Sequence, residues 1–197
     1  GREATVFEME EVSYENIRKA ISQIGPIGQI GKNKISHTLE FYPEEGKYHY
    51  TGHRVCNIKQ TPDETRKLGT TCPTCGKKLT VGVMHRVDEL AANEKELEVK
   101  EGKDVSGVRW ISYKDRPPYA MLVPLQEIIA ESLESAPASI KVQNEYNKLV
   151  SQISPIGQIG GEFGVLLKTP IAEIAKISGE KIGEGIKKVR SGHNIVD

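Results

Sequence analysis

The sequence has only three cysteines and one tryptophan among its 197 residues, and aromatic residues make up 6% of it. It contains no apolar run long enough to cross a membrane and no basic-then-apolar leader at its start. A small, odd number of cysteines suits a reducing compartment better than a disulfide framework. These absences argue against a secreted disulfide-rich protein and a membrane protein, and they predict a cytoplasmic address.

The chain also lacks an excess of charge of either sign, because 27 Lys and Arg balance 27 Asp and Glu. This balance argues against a protein that binds nucleic acid over its whole surface. The charge is nevertheless uneven along the chain. Between Lys47 and Arg86 eight basic residues stand against two acidic ones, whereas between Asp88 and Asp104 seven acidic residues stand against three lysines. The pattern indicates a basic subdomain followed by an acidic segment; a solvated surface with accidental clustering is the alternative.

Hydrophobic periodicity predicts an α+β fold, with a small mixed α/β segment first and a mostly helical region after it. Three segments alternate or are rich in β-branched residues and are predicted as strands: Ala4–Met9, Ser36–Pro43 and Lys78–Val87. Apolar residues at helical spacing predict helices in the stretches that begin near Ser13, Thr61, Val87, Pro124, Ser139, Thr169 and Gly179.

Several helix ends are marked by specific residues. Thr61, Pro62 and Glu64 have the spacing of a capping box with proline at the first helical position, and Gly69 ends that helix. In the helix after Ser13 we expect one apolar face, and in the last helix Gly192 is the expected C-cap. The expected faces comprise Ile17, Ala20, Ile21 and Ile24 in the first of these helices, and Ile182, Ile186 and Val189 in the last.

One ten-residue segment occurs twice. SQIGPIGQIG (22–31) returns as SQISPIGQIG (151–160), each time after a predicted helix. Glycine at every third position together with proline prevents a helix from continuing. The copies are too few and too short for a repeat fold, and without a preceding strand they do not form a dinucleotide-binding motif. We interpret both segments as linkers.

The three cysteines and one histidine have the spacing of a metal site. His53 and Cys56 are separated by two residues, as are Cys72 and Cys75, and the capped helix lies between the two pairs. Two such pairs let four soft donors converge tetrahedrally, which is typical of zinc. The spacing predicts one structural zinc per chain, because four protein ligands leave no open position for chemistry. Two alternatives remain: a redox pair of Cys72 with Cys75, and His49 or His85 as a ligand in place of His53.

Three stretches resemble the endonuclease Q-like family: LEFYPEEGKYHYTGHRVC, CPTCGKKLTVGVMHRVDELA and RPPYAMLVPLQEIIAESL. The resemblance extends from Gly1 to about Leu133, and more weakly from Gly161 to Gly192. It implies a metal-dependent phosphoesterase domain of the PHP type, a zinc-binding region and a helical C-terminal region, of which this chain resembles the C-terminal part only. Members of the family cut DNA on the 5′ side of deaminated bases and at abasic sites.

The resemblance implies that the chain has four segments and that it lacks the family's catalytic metal cluster. We expect 1–45 to be the end of a PHP-like α/β domain, 46–91 a zinc-binding region, 92–107 a charged linker and 108–197 a helical C-terminal domain. The histidine-rich cluster that supplies the family's catalytic metals is missing, so we name no catalytic residue and expect the catalytic centre in an upstream PHP domain outside this chain.

The predicted function is therefore DNA binding and lesion recognition in an endonuclease Q-like repair nuclease. Phosphate contacts are assigned to basic residues near the metal site, and contacts to an extruded base to aromatic neighbours. The two sets are Lys47, Arg54, Lys77, Lys78 and Arg86 for phosphate, and Tyr48, His49 and Tyr50 for the base. The alternatives are a zinc-ribbon-like protein-interaction module with no nucleic-acid role, and a free-standing redox or metalloenzyme.

Overall fold

The computed structural model describes residues 3–22, 32–42, 49–91, 99–153 and 161–194. The chain divides into two compact units. One, here called the scaffold unit, comprises Gly1–Phe41 together with Glu98–Ile195. The other, the cysteine unit, comprises Tyr42–Leu97. The α+β class predicted from the sequence is confirmed.

The scaffold unit contains a five-stranded sheet in the order β1-β2-β7-β6-β5. β1 with β2, β6 with β7 and β5 with β6 are antiparallel, whereas β2 and β7 are parallel. The parallel pair joins Thr38 to Tyr119 and Phe41 to Leu122, so residues far apart in sequence form the centre of the sheet. The strands are β1 (Ala4–Glu8), β2 (Lys34–Phe41), β5 (Val99–Lys103), β6 (Arg109–Tyr113) and β7 (Tyr119–Leu122).

Six described helices complete this unit, and buried apolar residues of the helices and of β2 and β7 form its core. Leu39 in β2 and Leu122 in β7 are fully buried, as are apolar residues in each of the five later helices. The helices are α1 (Tyr14–Ser22), α4 (Leu125–Ser132), α5 (Ile140–Gln152), α6 (Gly161–Leu167), α7 (Ile171–Ser178) and α8 (Glu180–Arg190). The apolar face predicted for the last helix is confirmed, because Ile182, Ile186 and Val189 are all buried.

Side chains satisfy the first backbone N–H groups of several helices. The Ser13 hydroxyl accepts a hydrogen bond from the Asn16 N–H at 3.2 Å, and Ser139 accepts one from the Val142 N–H at 3.4 Å. A carboxylate oxygen of Glu162 accepts the Leu125 N–H at 2.7 Å. A carboxylate at this position also complements the positive end of the helix dipole of α4.

Arg190, in the last turn of α8, is a charged residue inside the scaffold core, with 3% of its surface exposed. Its guanidinium donates hydrogen bonds to the carbonyl oxygens of Leu166, Val165 and Thr169 at 2.8, 2.9 and 2.6 Å, and to that of Ser106 at 3.1 Å. Burial lowers its pKa, and Asp104 partly opposes this shift. The planar guanidinium thus pairs carbonyl groups in the last turn of α6 and just after it, which helix geometry leaves unsatisfied.

In the described part of the cysteine unit, residues 42 and 49–91, there are two short strands, two α-helices, a 3-10 turn and irregular turns. β3 (Thr51–His53) and β4 (Ile58–Gln60) form an antiparallel pair, and α2 (Pro62–Leu68) and α3 (Val83–Ala91) follow. The start of α2 is the predicted capping box: Thr61 Oγ1 accepts the Glu64 N–H, and the Glu64 carboxylate accepts the Thr61 N–H.

One predicted strand is wrong, because the second half of Lys78–Val87 is helical. Thr80 pairs with Gly52, but the extended chain ends there. The Gly82 N–H then donates to Thr51 Oγ1 at 3.0 Å, and α3 begins at the next residue. The alternation of valines favours a strand only locally; packing of the chain at Gly82 decides the outcome.

Other elements were not predicted. Val99–Lys103, within the segment expected to be a charged linker, forms β5 and pairs along its length with β6. β6, β7 and α6 were also missed, and Ile21, expected on the core face of α1, is half exposed. The scaffold unit contains residues on both sides of the cysteine unit in sequence, and the four segments expected from the sequence, which differ from these two units, remain a prediction.

Some predictions lie outside the described residues. They include most of both glycine-rich repeats, as well as Ile24, Lys47 and Tyr48. No described helix combines the length and apolar character needed to cross a membrane. The cytoplasmic address remains a prediction.

Candidate metal centre

His53 and Cys56 are held by the hairpin of β3 and β4. His53 is the last residue of β3, opposite Ile58, and a 3-10 turn over Arg54–Cys56 follows it. Asn57 closes this turn in the left-handed conformation (φ 52°), which asparagine adopts more readily than most residues, and its N–H donates to the Arg54 carbonyl at 3.1 Å. The turn brings both predicted ligands to one end of the hairpin.

Cys72 and Cys75 lie on a second tight turn. The Gly76 N–H donates to the Cys72 carbonyl at 2.9 Å, and the Cys72 N–H donates to the Lys77 carbonyl at 2.8 Å. Gly76 has a φ of 71°, which glycine adopts without the steric penalty of a Cβ atom. The chain therefore reverses at the turn, with both thiols on the same side as the first pair.

The two turns are joined through the backbone. Gly52 and Thr80 exchange two N–H to carbonyl hydrogen bonds of 2.9 Å. The ligand atoms of His53, Cys56, Cys72 and Cys75 all lie within 4.8 Å of one another, and Cys75 Sγ is 3.3 Å from His53 Nδ1. The structure thus brings together the four residues predicted as ligands.

Neither alternative from the sequence is favoured by this geometry. His49 and His85 are buried and do not belong to the cluster. All three cysteines are free thiols, so Cys72 and Cys75 are not joined as an oxidised redox pair.

The thiols influence one another's ionisation. The hydrogen bond with Cys75 and then burial raise the pKa of the Cys56 thiol to about 11. For Cys72 the largest influence is burial, which raises its pKa, but hydrogen bonds with His53 and the backbone of Cys75 and Thr74 outweigh it and lower the pKa to about 6. Three neighbouring thiolates repel one another, and the positive charge of a coordinated cation offsets this repulsion, so that thiols bound to such a cation are deprotonated outright.

The donor set fits zinc. Three thiols and one imidazole are among the ligand sets of structural zinc sites. Donors bound to one zinc ion in tetrahedral geometry lie roughly 3.5 to 3.8 Å apart, whereas the four donors here lie within 4.8 Å of one another and Cys75 Sγ lies 3.3 Å from His53 Nδ1. The four residues could therefore hold a metal ion, with a composition consistent with zinc, and they would leave no open coordination position.

The described basic residues predicted to contact DNA lie on or near these turns. Arg54 lies between His53 and Cys56, and Lys77 and Lys78 follow Cys75; all three side chains are exposed. None of the three takes part in an ion pair within the described residues. Arg86 differs, because its guanidinium is 2.9 Å from the Glu89 carboxylate, which neutralises part of its charge.

The candidates for base contacts have different environments. His49 is 8% exposed, and its ring lies edge-on to that of Tyr50 with centroids 4.4 Å apart. Tyr50 is half-buried, and the Lys59 ammonium lies 4.2 Å from the centroid of its ring. Because His49 is buried, it offers no surface to a base in this structure. Lys59 was not singled out from the sequence; its place opposite Gly52 in the hairpin could not be read from spacing alone.

The chain matches a known family over its helical end. Residues 124–193 match the family described as the MJ0043 C-terminal domain. Over 197 residues the chain is 29% identical to the uncharacterized protein MJ0043 of Methanocaldococcus jannaschii, an alignment that covers 98% of this chain and 21% of that protein. These matches show similarity to that domain over the helical end of the chain, and the chain spans about a fifth of the length of that relative.

Two solved structures similar to this chain are both of endonuclease Q. The lesion-specific endonuclease PfuEndoQ from Pyrococcus furiosus is 33% identical, with a TM-score of 0.66, over 96% of this chain and 40% of that one. Endonuclease Q in complex with a 27-mer duplex substrate carrying an abasic lesion is 34% identical, with a TM-score of 0.70, over 96% of this chain and 41% of that one. The predicted resemblance to a part of endonuclease Q is therefore confirmed, and the chain spans about two-fifths of those proteins.

Proposed function

We propose that this chain is the DNA-binding, zinc-stabilised C-terminal part of an endonuclease Q-like DNA repair nuclease that acts on deaminated bases. The observation that carries the proposal is the similarity over 96% of the chain to endonuclease Q, one structure of which holds duplex DNA. Catalysis would be supplied by the remaining part of such a protein, the PHP-type domain that the resemblance implies.

In this proposal the metal has a structural role. One zinc ion would be held by His53, Cys56, Cys72 and Cys75, and it would fix both turns that carry the basic residues. A fixed arrangement of cations lowers the entropy lost when they engage a phosphate backbone. The metal site would therefore support DNA binding without taking part in chemistry.

Phosphate binding is assigned to the exposed cations of the cysteine unit. Arg54, Lys77 and Lys78 are the strongest candidates, because they lie next to metal ligands and have no acidic partner among the described residues. Lys47 and Arg86 are the remaining candidates, the latter with its charge shared with Glu89. Phosphate contacts of this kind position a protein on DNA without reading its sequence.

We expect DNA binding by the full chain to weaken steeply as salt rises. If about four cations contact phosphates of a duplex, the slope of log affinity against log salt is roughly −3 to −4. The variant Lys77→Glu/Lys78→Glu is expected to flatten that slope by roughly 1.5 to 2, because each phosphate contact contributes about 0.9. Fluorescence anisotropy titrations of a labelled duplex from low to moderate salt measure both slopes.

The matched control is Lys187→Glu/Lys188→Glu in α8 of the scaffold unit. It changes the net charge equally but lies beside Glu184, with which Lys187 forms an ion pair at 3.1 Å, and it is expected to leave the slope unchanged. Equal slopes for wild type and Lys77→Glu/Lys78→Glu would overturn the assignment of phosphate contacts to this unit.

The second candidate function is a protein-interaction module, and one observation favours it. Val55, between Arg54 and Cys56, is 89% exposed, and Val81, Val83 and Leu90 of the same unit are also exposed. Exposed apolar side chains near basic ones suit an amphipathic or acidic protein partner. If the chain does not bind DNA in the salt titration, a protein-interaction module becomes better supported than a DNA-binding function.

A further inference from the structure

Tyr50 is the centre of a small aromatic cluster in the cysteine unit. The Lys59 ammonium lies over its ring at 4.2 Å from the centroid, and the His49 ring meets it edge-on at an interplanar angle of 86°. Lys59 is exposed and His49 is buried. The Tyr50 ring is therefore contacted by a buried imidazole and covered on one face by the ammonium of an exposed lysine.

The backbone that carries Tyr50 is tightly held. A Cβ atom added to Gly82 would lie 2.3 Å from the Tyr50 carbonyl carbon and 2.4 Å from the Thr51 nitrogen. The Gly82 N–H donates to Thr51 Oγ1, and the Met84 N–H donates to the His49 carbonyl at 3.1 Å. Because the backbone that carries the ring is fixed in this way, less conformational entropy is lost when another flat group stacks on the ring.

We propose that Tyr50 and Lys59 form a stacking platform for one unpaired nucleobase. The base takes the ring face that Lys59 now covers, and the ammonium moves to a neighbouring phosphate. Base–aromatic stacking is the stronger contact, since an exposed cation–π contact is weak, and the phosphate provides a new partner for Lys59. This inference rests on the proposed DNA-binding function.

A stacking platform of this kind favours DNA that has unpaired bases. Every base has a π-face, so stacking tolerates any sequence. In an intact duplex, however, both faces of each base are already stacked on neighbouring pairs. The platform therefore adds affinity for single-stranded DNA or a duplex with an extruded base, and adds none for an intact duplex.

The test compares three labelled DNAs: a single strand, a duplex with one unpaired bulged base, and the matching intact duplex. Tyr50→Leu is expected to lower the affinity of the full chain for the first two by about 5- to 100-fold, as loss of one stacked base does, and to leave intact duplex binding unchanged. Lys59→Gln is expected to reduce the salt slope on single-stranded DNA by about 0.7, whereas Tyr50→Phe retains binding to all three.

The chain offers a matched control in the scaffold unit, where Lys114 Nζ lies 4.7 Å from the centroid of the Tyr113 ring. Tyr113→Leu is expected to change none of the three affinities. Equal losses on all three DNAs with Tyr50→Leu, or an unchanged slope with Lys59→Gln, would overturn the platform while leaving the basic surface intact. Failure of the wild-type chain to bind any of the DNAs would overturn the proposed function and the platform together.

Discussion

Cys72→Ser is expected to abolish metal binding and to unfold the cysteine unit. Cys72 is 1% exposed and is the buried member of the four-donor cluster. Within the described residues of this unit, Cys72 and Leu79 are the buried apolar side chains; the others that are buried are polar, such as His49 and Gln60. A unit with so few buried apolar groups needs a metal to remain folded. Elemental analysis should find about one zinc per wild-type chain and none in the variant.

The folding consequence is measured by thermal unfolding followed by circular dichroism. Zinc binding and folding are coupled. The thermal unfolding transition of the cysteine unit should therefore disappear from the wild-type chain after prolonged treatment with a chelator. In Cys72→Ser it should be absent without any treatment. Thr74→Ala is the matched control, since Thr74 lies between Cys72 and Cys75 and is exposed; it should retain the metal and the transition. A variant Cys72→Ser with bound zinc and unchanged unfolding, or a disulfide between Cys72 and Cys75 in the wild type, would contradict the site.

Arg190→Met is expected to destabilise the scaffold unit by roughly 3 to 5 kcal/mol, because it leaves buried carbonyl oxygens without donors. The guanidinium satisfies the carbonyls of Leu166, Val165 and Thr169 at once. Methionine fills the space of the side-chain stem but donates nothing. The relief of the buried charge offsets only part of this loss. Urea unfolding of the full chain measures the change in the free energy of unfolding.

Two variants separate the geometry of the guanidinium from its charge. Arg190→Lys keeps the charge but lacks the planar fork, so it is expected to recover only part of the lost stability. Lys188→Met, two residues earlier on α8 and exposed, is expected to change the free energy of unfolding by less than about 0.5 kcal/mol. An Arg190→Met variant as stable as Lys188→Met would show that the carbonyls find other donors.

The features predicted correctly depend on local chemistry. The capping box at Thr61 follows from residues three positions apart. The apolar stripes of α4 and α8 follow from helical periodicity over two or more turns. The four metal-ligating candidates could be chosen because two closely spaced pairs used all three cysteines and the nearest suitably spaced histidine.

The missed elements depend on contacts between distant residues. β7 is four residues long and was not predicted, although it pairs with β2, about eighty positions earlier in the chain. β5 is exposed along its whole length and rich in charge, so nothing in its own sequence favours a strand; it forms because β6 provides its hydrogen-bonding partner. The helix α3 replaced a predicted strand because Gly82 packs against the backbone of Tyr50 and Thr51.

By itself the sequence determined the class of fold, the capping box of α2, the pairing of the three cysteines with a nearby histidine as a candidate metal site, and the resemblance to endonuclease Q. Each of these follows from short residue spacings or from long, specific motifs. Only the tertiary structure decided which of three nearby histidines joins the cysteines, that His49 is buried and that Lys59 covers Tyr50. These outcomes depend on the Gly52–Thr80 hydrogen bonds and on the close approach of Gly82. Both join segments about thirty residues apart in sequence, and such contacts cannot be predicted from hydrophobic periodicity or from the spacing of residues.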